Sequence, residues 1–159
     1  MAMEYAWRTR ESRNGDFLPS ADGSTALVLD SSGAGWRVQE IDLETGAVVR
    51  QVAAGTGAPK VLGLDPSRTR LFVGSSTALF RFDSVSGTAL GTVPHSLVDG
   101  PRALAPLGLD VVVASGDDKL VRFDFATGGA TTAIDGLSEP WGVVADPLAD
   151  RADGRELAE

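Results

Sequence analysis

One stretch constrains the fold more than any other. Leu79-Phe80-Arg81-Phe82-Asp83-Ser84-Val85-Ser86-Gly87 occurs three times in related form, upstream as Val38-Gln39-Glu40-Ile41-Asp42-Leu43-Glu44-Thr45-Gly46 and downstream as Leu120-Val121-Arg122-Phe123-Asp124-Phe125-Ala126-Thr127-Gly128. Asp42, Asp83 and Asp124 stand 41 residues apart, and so do Gly46, Gly87 and Gly128. An apolar or alternating run, an Asp, three loop residues ending in Ser or Thr, then Gly reads as a strand entering a tight hairpin. The Asp carboxylate can accept a hydrogen bond from the backbone two residues on. The Gly supplies the positive φ that such a loop needs. Asp42, Gly46, Asp83, Gly87, Asp124 and Gly128 are therefore expected to be structural turn residues.

Each repeat carries three further strands. The first unit predicts an inner strand at Phe17-Leu18-Pro19-Ser20 and a second at Thr25-Ala26-Leu27-Val28-Leu29. The matching parts are Val61-Leu62-Gly63-Leu64 with Arg70-Leu71-Phe72-Val73, and Ala103-Leu104-Ala105-Pro106 with Val111-Val112-Val113-Ala114. The second strands are short, nearly continuous apolar runs, which suits strands covered on both faces. Polar and β-branched fourth strands follow each hairpin at residues 47–52, 88–93 and 130–134, as outer, half-exposed strands should. Loops return inward through Pro59, Pro101 and Pro140. A period near 40 residues with four strands per unit predicts an all-β fold of β-propeller blades, each a four-stranded sheet.

The boundaries predicted are an N-terminal arm at 1–15, with a short edge strand in it; blades at 16–57, 58–99 and 100–138; the first strand of a fourth blade within 139–147; and a charged tail at 148–159. The ring is thus incomplete: three blades plus one strand.

With 159 residues and 43% apolar residues, the chain can bury one sizeable core. A net charge of −8 argues against a nucleic-acid groove or an anionic membrane surface as partner. The absence of Cys removes disulfides, thiolate metal sites and cysteine nucleophiles together. The first ten residues hold no apolar segment of the secretory kind, so the chain as given reads as cytoplasmic; a piece of a longer exported protein would look the same.

Pro, a short apolar strand, Asp65-Pro66, Leu71-Phe72-Val73, Phe82-Asp83 and Ser86-Gly87 together resemble the YVTN and NHL type of β-propeller repeat. They are also similar to Trp-Asp-repeat and quinoprotein-like propellers, although the Trp-Asp dipeptide itself is absent. The resemblance covers roughly residues 16–147. It implies an architecture and no particular activity, since one fold hosts many unrelated sites. It also implies a closed ring of four or more blades, which this chain does not fill by itself.

Several residue groups bear on chemistry. As repeat equivalents on successive blades, the three hairpin Asp residues lie about a blade apart and cannot converge on a metal. Asp117-Asp118 supply only one carboxylate pair, too few for a calcium loop. Gly55-Thr56-Gly57-Ala58-Pro59-Lys60 lacks the ending of a phosphate loop, and Gly33-Ala34-Gly35 lacks a third glycine. His95, the only histidine, falls at the end of an outer strand with no nucleophile elbow and reads as a surface residue. Lys60, Arg102 and Trp141 each follow an in-register proline and so begin an inner strand at the rim of the central channel. Two cations and an aromatic there would suit an anionic or flat ligand.

The expected function is a non-catalytic binding or scaffolding module whose partner, a protein or a small molecule, meets that rim, with no metal and no cofactor. The alternative implied by the resemblance is a fragment of a propeller lyase, lactonase or quinoprotein-like enzyme whose catalytic residues lie on other blades. Because a three-blade stack leaves two blade faces free, two copies closing a ring of roughly six to eight blades is a further expectation.

Overall fold

The computed structural model describes residues 16–31, 35–98, 100–138, 140 and 142–144. These form strands β1 (Phe17–Pro19), β2 (Thr25–Asp30), β3 (Gly35–Asp42), β4 (Val48–Thr56), β5 (Val61–Leu64), β6 (Arg70–Gly74), β7 (Ala78–Asp83), β8 (Ala89–Pro94), β9 (Ala103–Pro106), β10 (Val111–Gly116), β11 (Lys119–Asp124) and β12 (Gly129–Ile134). They make three four-stranded antiparallel meanders, β1-β2-β3-β4, β5-β6-β7-β8 and β9-β10-β11-β12. The fold is all-β, and each sheet has the form of a propeller blade. The arm at 1–15 and the tail at 148–159 lie outside the described residues. Of the stretch expected to open a fourth blade, residues 140 and 142–144 are described and belong to no strand.

The three hairpins superpose bond for bond. Asp42 Oδ1 accepts from the N–H groups of Glu44 and Thr45 at 2.9 and 2.8 Å. Asp83 Oδ1 accepts from Val85 and Ser86 at 3.0 and 2.8 Å, and Asp124 Oδ1 from Ala126 and Thr127 at 2.9 and 3.3 Å. The N–H groups of Gly46, Gly87 and Gly128 donate to the carbonyls of those same Asp residues, with φ of 74°, 75° and 74°. An L-residue reaches that φ only with strain, which is why Gly recurs there. The bonds from Thr45 and Glu44 hold the Asp42 carboxyl below its usual range, and those from Ser86 and Val85 do the same for Asp83.

Side chains alternate across each strand, and both faces of the middle sheet are used. Leu71, Val73 and Phe82 pack with Leu27, Leu29, Trp36, Val38, Val52 and Ala53 of the first sheet. On the opposite face Phe72, Leu79 and Val93 pack with Leu104, Val112, Ala114, Val121 and Phe123 of the third. Leu71, Phe72 and Val73 are all fully buried, the outcome the unbroken apolar run required. Between neighbouring sheets the closest approaches are made by the inner strands, β1 to β5 and β5 to β9. The sheets therefore converge on β1, β5 and β9 and splay toward β4, β8 and β12.

One outer strand is longer than expected. β4 runs to Thr56, where residues 47–52 were predicted, because β3 begins early and Gly35 pairs with Thr56. The Trp36 indole N–H donates to the Thr56 carbonyl at 3.0 Å, and its ring lies where a side chain on Gly55 would have to go.

Candidate binding rim at the inner strands

Registers place the candidate rim residues. The Lys60 N–H donates to Gly74 O at 2.9 Å, and the Arg102 N–H donates to Ser115 O at 2.8 Å. Gly74 and Ser115 occupy one repeat position at the ends of β6 and β10, so Lys60 and Arg102 stand at one height at the start of β5 and β9. The prolines before them, Pro59 and Pro101, are buried and fix the direction from which the chain enters. Lys60 is exposed and Arg102 half-buried. The Lys60 ammonium leans toward the next sheet: a Cβ built on Gly100 would lie 3.6 Å from its Nζ. Lys60 and the loop that carries Arg102 are thus brought together. Trp141 lies outside the described residues.

Asp16 escaped the reading of the sequence. It directly precedes β1, at the position equivalent to Val61 and Ala103 in the other two repeats. Its Oδ2 accepts the Leu62 N–H at 2.9 Å and its Oδ1 the Phe17 N–H at 2.9 Å. Among the described residues β5 pairs only with β6, so its other edge faces the axis, and Asp16 satisfies one N–H on that edge. Burial raises the Asp16 carboxyl above its ordinary range, against the two backbone bonds that lower it. The signal available was a carboxylate at a position the repeats otherwise fill with an apolar residue. The rim therefore presents a carboxylate as well as cations.

His95 corrects an expectation. It is half-buried between two sheets rather than on the surface: its ring meets Phe123 edge-on at 4.9 Å between centroids, and Nε2 lies 3.0 Å from Ser75 O. A carbonyl accepts, so Nε2 carries the hydrogen and Nδ1, buried with no hydrogen-bond partner, is bare. Desolvation lowers the His95 pKa from its usual 6.5. Asp117 and Asp118 form the two-residue turn between Gly116 and Lys119, with Asp117 at a φ of 51°. Among the described residues no group of three or more His, Asp or Glu side chains could hold a metal ion, and no helix is long and apolar enough to cross a membrane.

Two arginines, also unremarked in the sequence, tie the sheets together. Arg50 Nε donates to Glu40 at 2.7 Å, while Nη1 and Nη2 donate to the Val85 and Ser84 carbonyls of the second sheet at 2.8 and 3.0 Å. Arg81 Nη1 donates to Leu109 O at 2.9 Å and to the Asp110 carboxylate of the third sheet, with its guanidinium 4.7 Å from the Phe125 ring centroid.

No family model matches this sequence, and no curated protein matches it. Solved structures do. The chain is similar to the hydrazine synthase of Kuenenia stuttgartiensis, with a TM-score of 0.60 and 18% identity over 79% of this chain and 37% of that one. It is also similar to a chain in a mitotic checkpoint complex, with a TM-score of 0.57 and 15% identity over 83% of this chain and 42% of that one. The chain thus spans about two-fifths of the solved structures it matches. At this level of identity the likeness carries the architecture alone, and it is the architecture of part of a β-propeller.

Proposed function

We propose that the chain is a non-catalytic binding module of the YVTN or NHL kind of propeller repeat, and that its partner meets the mouth of the channel at Lys60, Arg102 and Trp141. The supporting observation is the common height of Lys60 and Arg102 on adjacent inner strands, with the Lys60 ammonium leaning over the loop before β9. Two cations beside a Gly-containing loop favour an anion, and a Trp at the third equivalent position favours one with a flat apolar face. Asp16 restricts the choice by repelling an anion that reaches deep along the axis. The proposed ligand class is a small aromatic anion or an acidic side chain presented by a protein.

The test is a backbone amide NMR titration with adenosine monophosphate as a flat anionic probe. Shifts concentrated at Lys60, Gly100, Arg102 and Trp141, and lost in the Lys60→Ala, Arg102→Ala, Trp141→Ala triple variant, are expected. Absence of rim shifts at millimolar probe, or identical shifts in the triple variant, overturns the reading.

A further inference from the structure

We propose that His95 is an acid-sensitive latch on the crossover between the second and third sheets, and that a proton on it and a ligand bridging Lys60 and Arg102 oppose each other. The second half rests on the rim reading above. Residues 95–102 join β8 to β9 and carry the chain across the second junction. His95 begins this segment and Arg102 ends it. The His95 N–H donates to Thr77 O at 2.9 Å, and Nε2 lies 3.0 Å from Ser75 O. Both acceptors belong to a braced turn, in which the Ser75 hydroxyl donates to Ala78 O at 3.0 Å and accepts the Ala78 N–H at 3.1 Å. Gly74 O, one residue earlier, accepts the Lys60 N–H. Lys60 and the first anchor of the crossover therefore hang from neighbouring carbonyls.

The other side of the latch is the third sheet. The His95 ring is seated on Phe123, and Val98, three residues on, is fully buried with Val112, Ala114, Val121 and Phe123. A Cβ on Gly116 would run into the Val98 side chain, so the crossover lies directly on the end of β10. With Nε2 committed to Ser75, an added proton must go to Nδ1, which is buried and has no acceptor among the described residues. A cation held there is neither solvated nor paired, and parting from Phe123 relieves it. Of the charged side chains on the elements around it, Arg81 is paired with Asp110, Asp83 with Arg70 and Arg122 with Asp124, while Asp117, Asp118 and Lys119 stand at the β10–β11 turn. None of these, nor Lys60 or Arg102, is a cause of the downward shift of His95, which burial drives and the Ser75 carbonyl resists.

A ligand that touches both Lys60 on the second sheet and Arg102 on the third spans the junction that the proton opens. Each favours one of two states, so each weakens the binding of the other. The first junction responds differently. Burial raises the Asp16 carboxyl there, so its ionised form is the costly one and acid does not loosen the contact.

The chain has no cysteine, so single engineered thiols report opening. Val98→Cys at the second junction and Val38→Cys at the first each place one at a fully buried site. Labelling by 4,4′-dithiodipyridine is followed from pH 7.5 to 5, each rate divided by that of a free thiol at the same pH. Val98→Cys should react up to about tenfold faster per pH unit below 6.5. Val38→Cys should stay level, and adding His95→Gln to Val98→Cys should abolish the rise. Independently, the imidazole resonance of the single histidine in the wild-type chain should titrate below pH 6.5. A level Val98→Cys rate, a parallel rise in Val38→Cys, a rise that survives His95→Gln, or a midpoint at or above 6.5 overturns the latch. Naphthalene-1-sulfonate, a flat anion of constant charge in this range, should slow Val98→Cys labelling at pH 5.5. Amide shifts at the rim without slowing overturn the antagonism; absence of rim shifts overturns the rim reading, and the thiol rates still decide the latch.

Discussion

Where the first sheet meets the second, Trp36 lies against Phe80 and Phe82, with ring centroids 5.7 and 5.8 Å apart. Where the second meets the third, Phe72 lies 5.5 Å from Phe125, and Arg81 and His95 enter the same junction. The repeat position that holds Arg81 in the second sheet holds Glu40 in the first. Glu40 cannot donate to a neighbouring carbonyl, and Arg50 on the adjacent strand makes the crossing for it. Both junctions thus set a guanidinium against carbonyls of the next sheet, delivered from different strands. The first junction closes on backbone acceptors, aromatic rings and the Asp16 carboxylate that accepts the Leu62 N–H. The second joins through a half-exposed carboxylate, Asp110, and holds a bare imidazole nitrogen.

The sharpest way to break this comparison is Phe72→Ala. It should cost about 3–5 kcal/mol of stability, read from urea denaturation, because a large, fully buried ring leaves a cavity. Phe80→Ala, at a half-buried ring of the first junction, should cost clearly less. Equal losses would mean that packing weights the junctions alike.

Next come the hairpin glycines. The repeat alone predicts equal behaviour, and the structure separates two of them. A Cβ on Gly87 would run into the Val52 carbonyl oxygen of the first sheet, whereas one on Gly128 meets nothing. Gly128→Ala should cost about 1 kcal/mol for its positive φ, and Gly87→Ala about 2–3 kcal/mol in thermal melts. Matching melting temperatures would show that the second hairpin does not lean on the first sheet.

Removing each guanidinium is a smaller perturbation. Arg81→Met should cost about 1.5–3 kcal/mol, since it strips charge-assisted bonds from a site that is mostly enclosed. Arg50→Met, at a side chain 38% exposed, should cost about 1 kcal/mol or less. Reversal of that order in denaturation midpoints would refute the assignment of the stronger clamp to the second junction.

His95 should give the smallest effect. Its folded pKa is depressed, so below about pH 6.5 the unfolded chain takes up a proton that the folded chain refuses. Stability contributed by neutral His95 is complete above that pH and declines as pH falls toward the folded value. His95→Gln should flatten the stability profile across this window, measured by denaturant midpoints at fixed ionic strength. An unchanged slope would show that His95 is not what makes the second junction responsive.

The hairpins and strand order were legible because they are local. An Asp, a Gly and the three residues between them determine their own hydrogen bonds, and three copies in register repeat the same signal. Continuous burial along β6 was readable too, since an unbroken apolar run such as Leu71-Phe72-Val73 suits a strand covered on both faces. What escaped depends on neighbours distant in sequence. Asp16 matters through the Leu62 N–H, His95 through Phe123, and Arg50 through carbonyls 34 and 35 residues away. Periodicity carries no information on which side chain crosses from one sheet to the next. Lys60 and Arg102 fell between these cases: their height followed from the prolines, while the lean of Lys60 toward Gly100 did not.

The middle sheet is the only one of the three with both faces packed against neighbouring sheets, and this has a consequence for hydrogen exchange. Amides of β6 and β7 can reach water only after both junctions part, so they should set the slowest exchange rates in the molecule. Those of β2 and β3, or β10 and β11, are released when a single junction opens. Protection should therefore peak midway along the chain and fall toward either side, with the third sheet opening at a lower free energy wherever His95 is driven to take a proton.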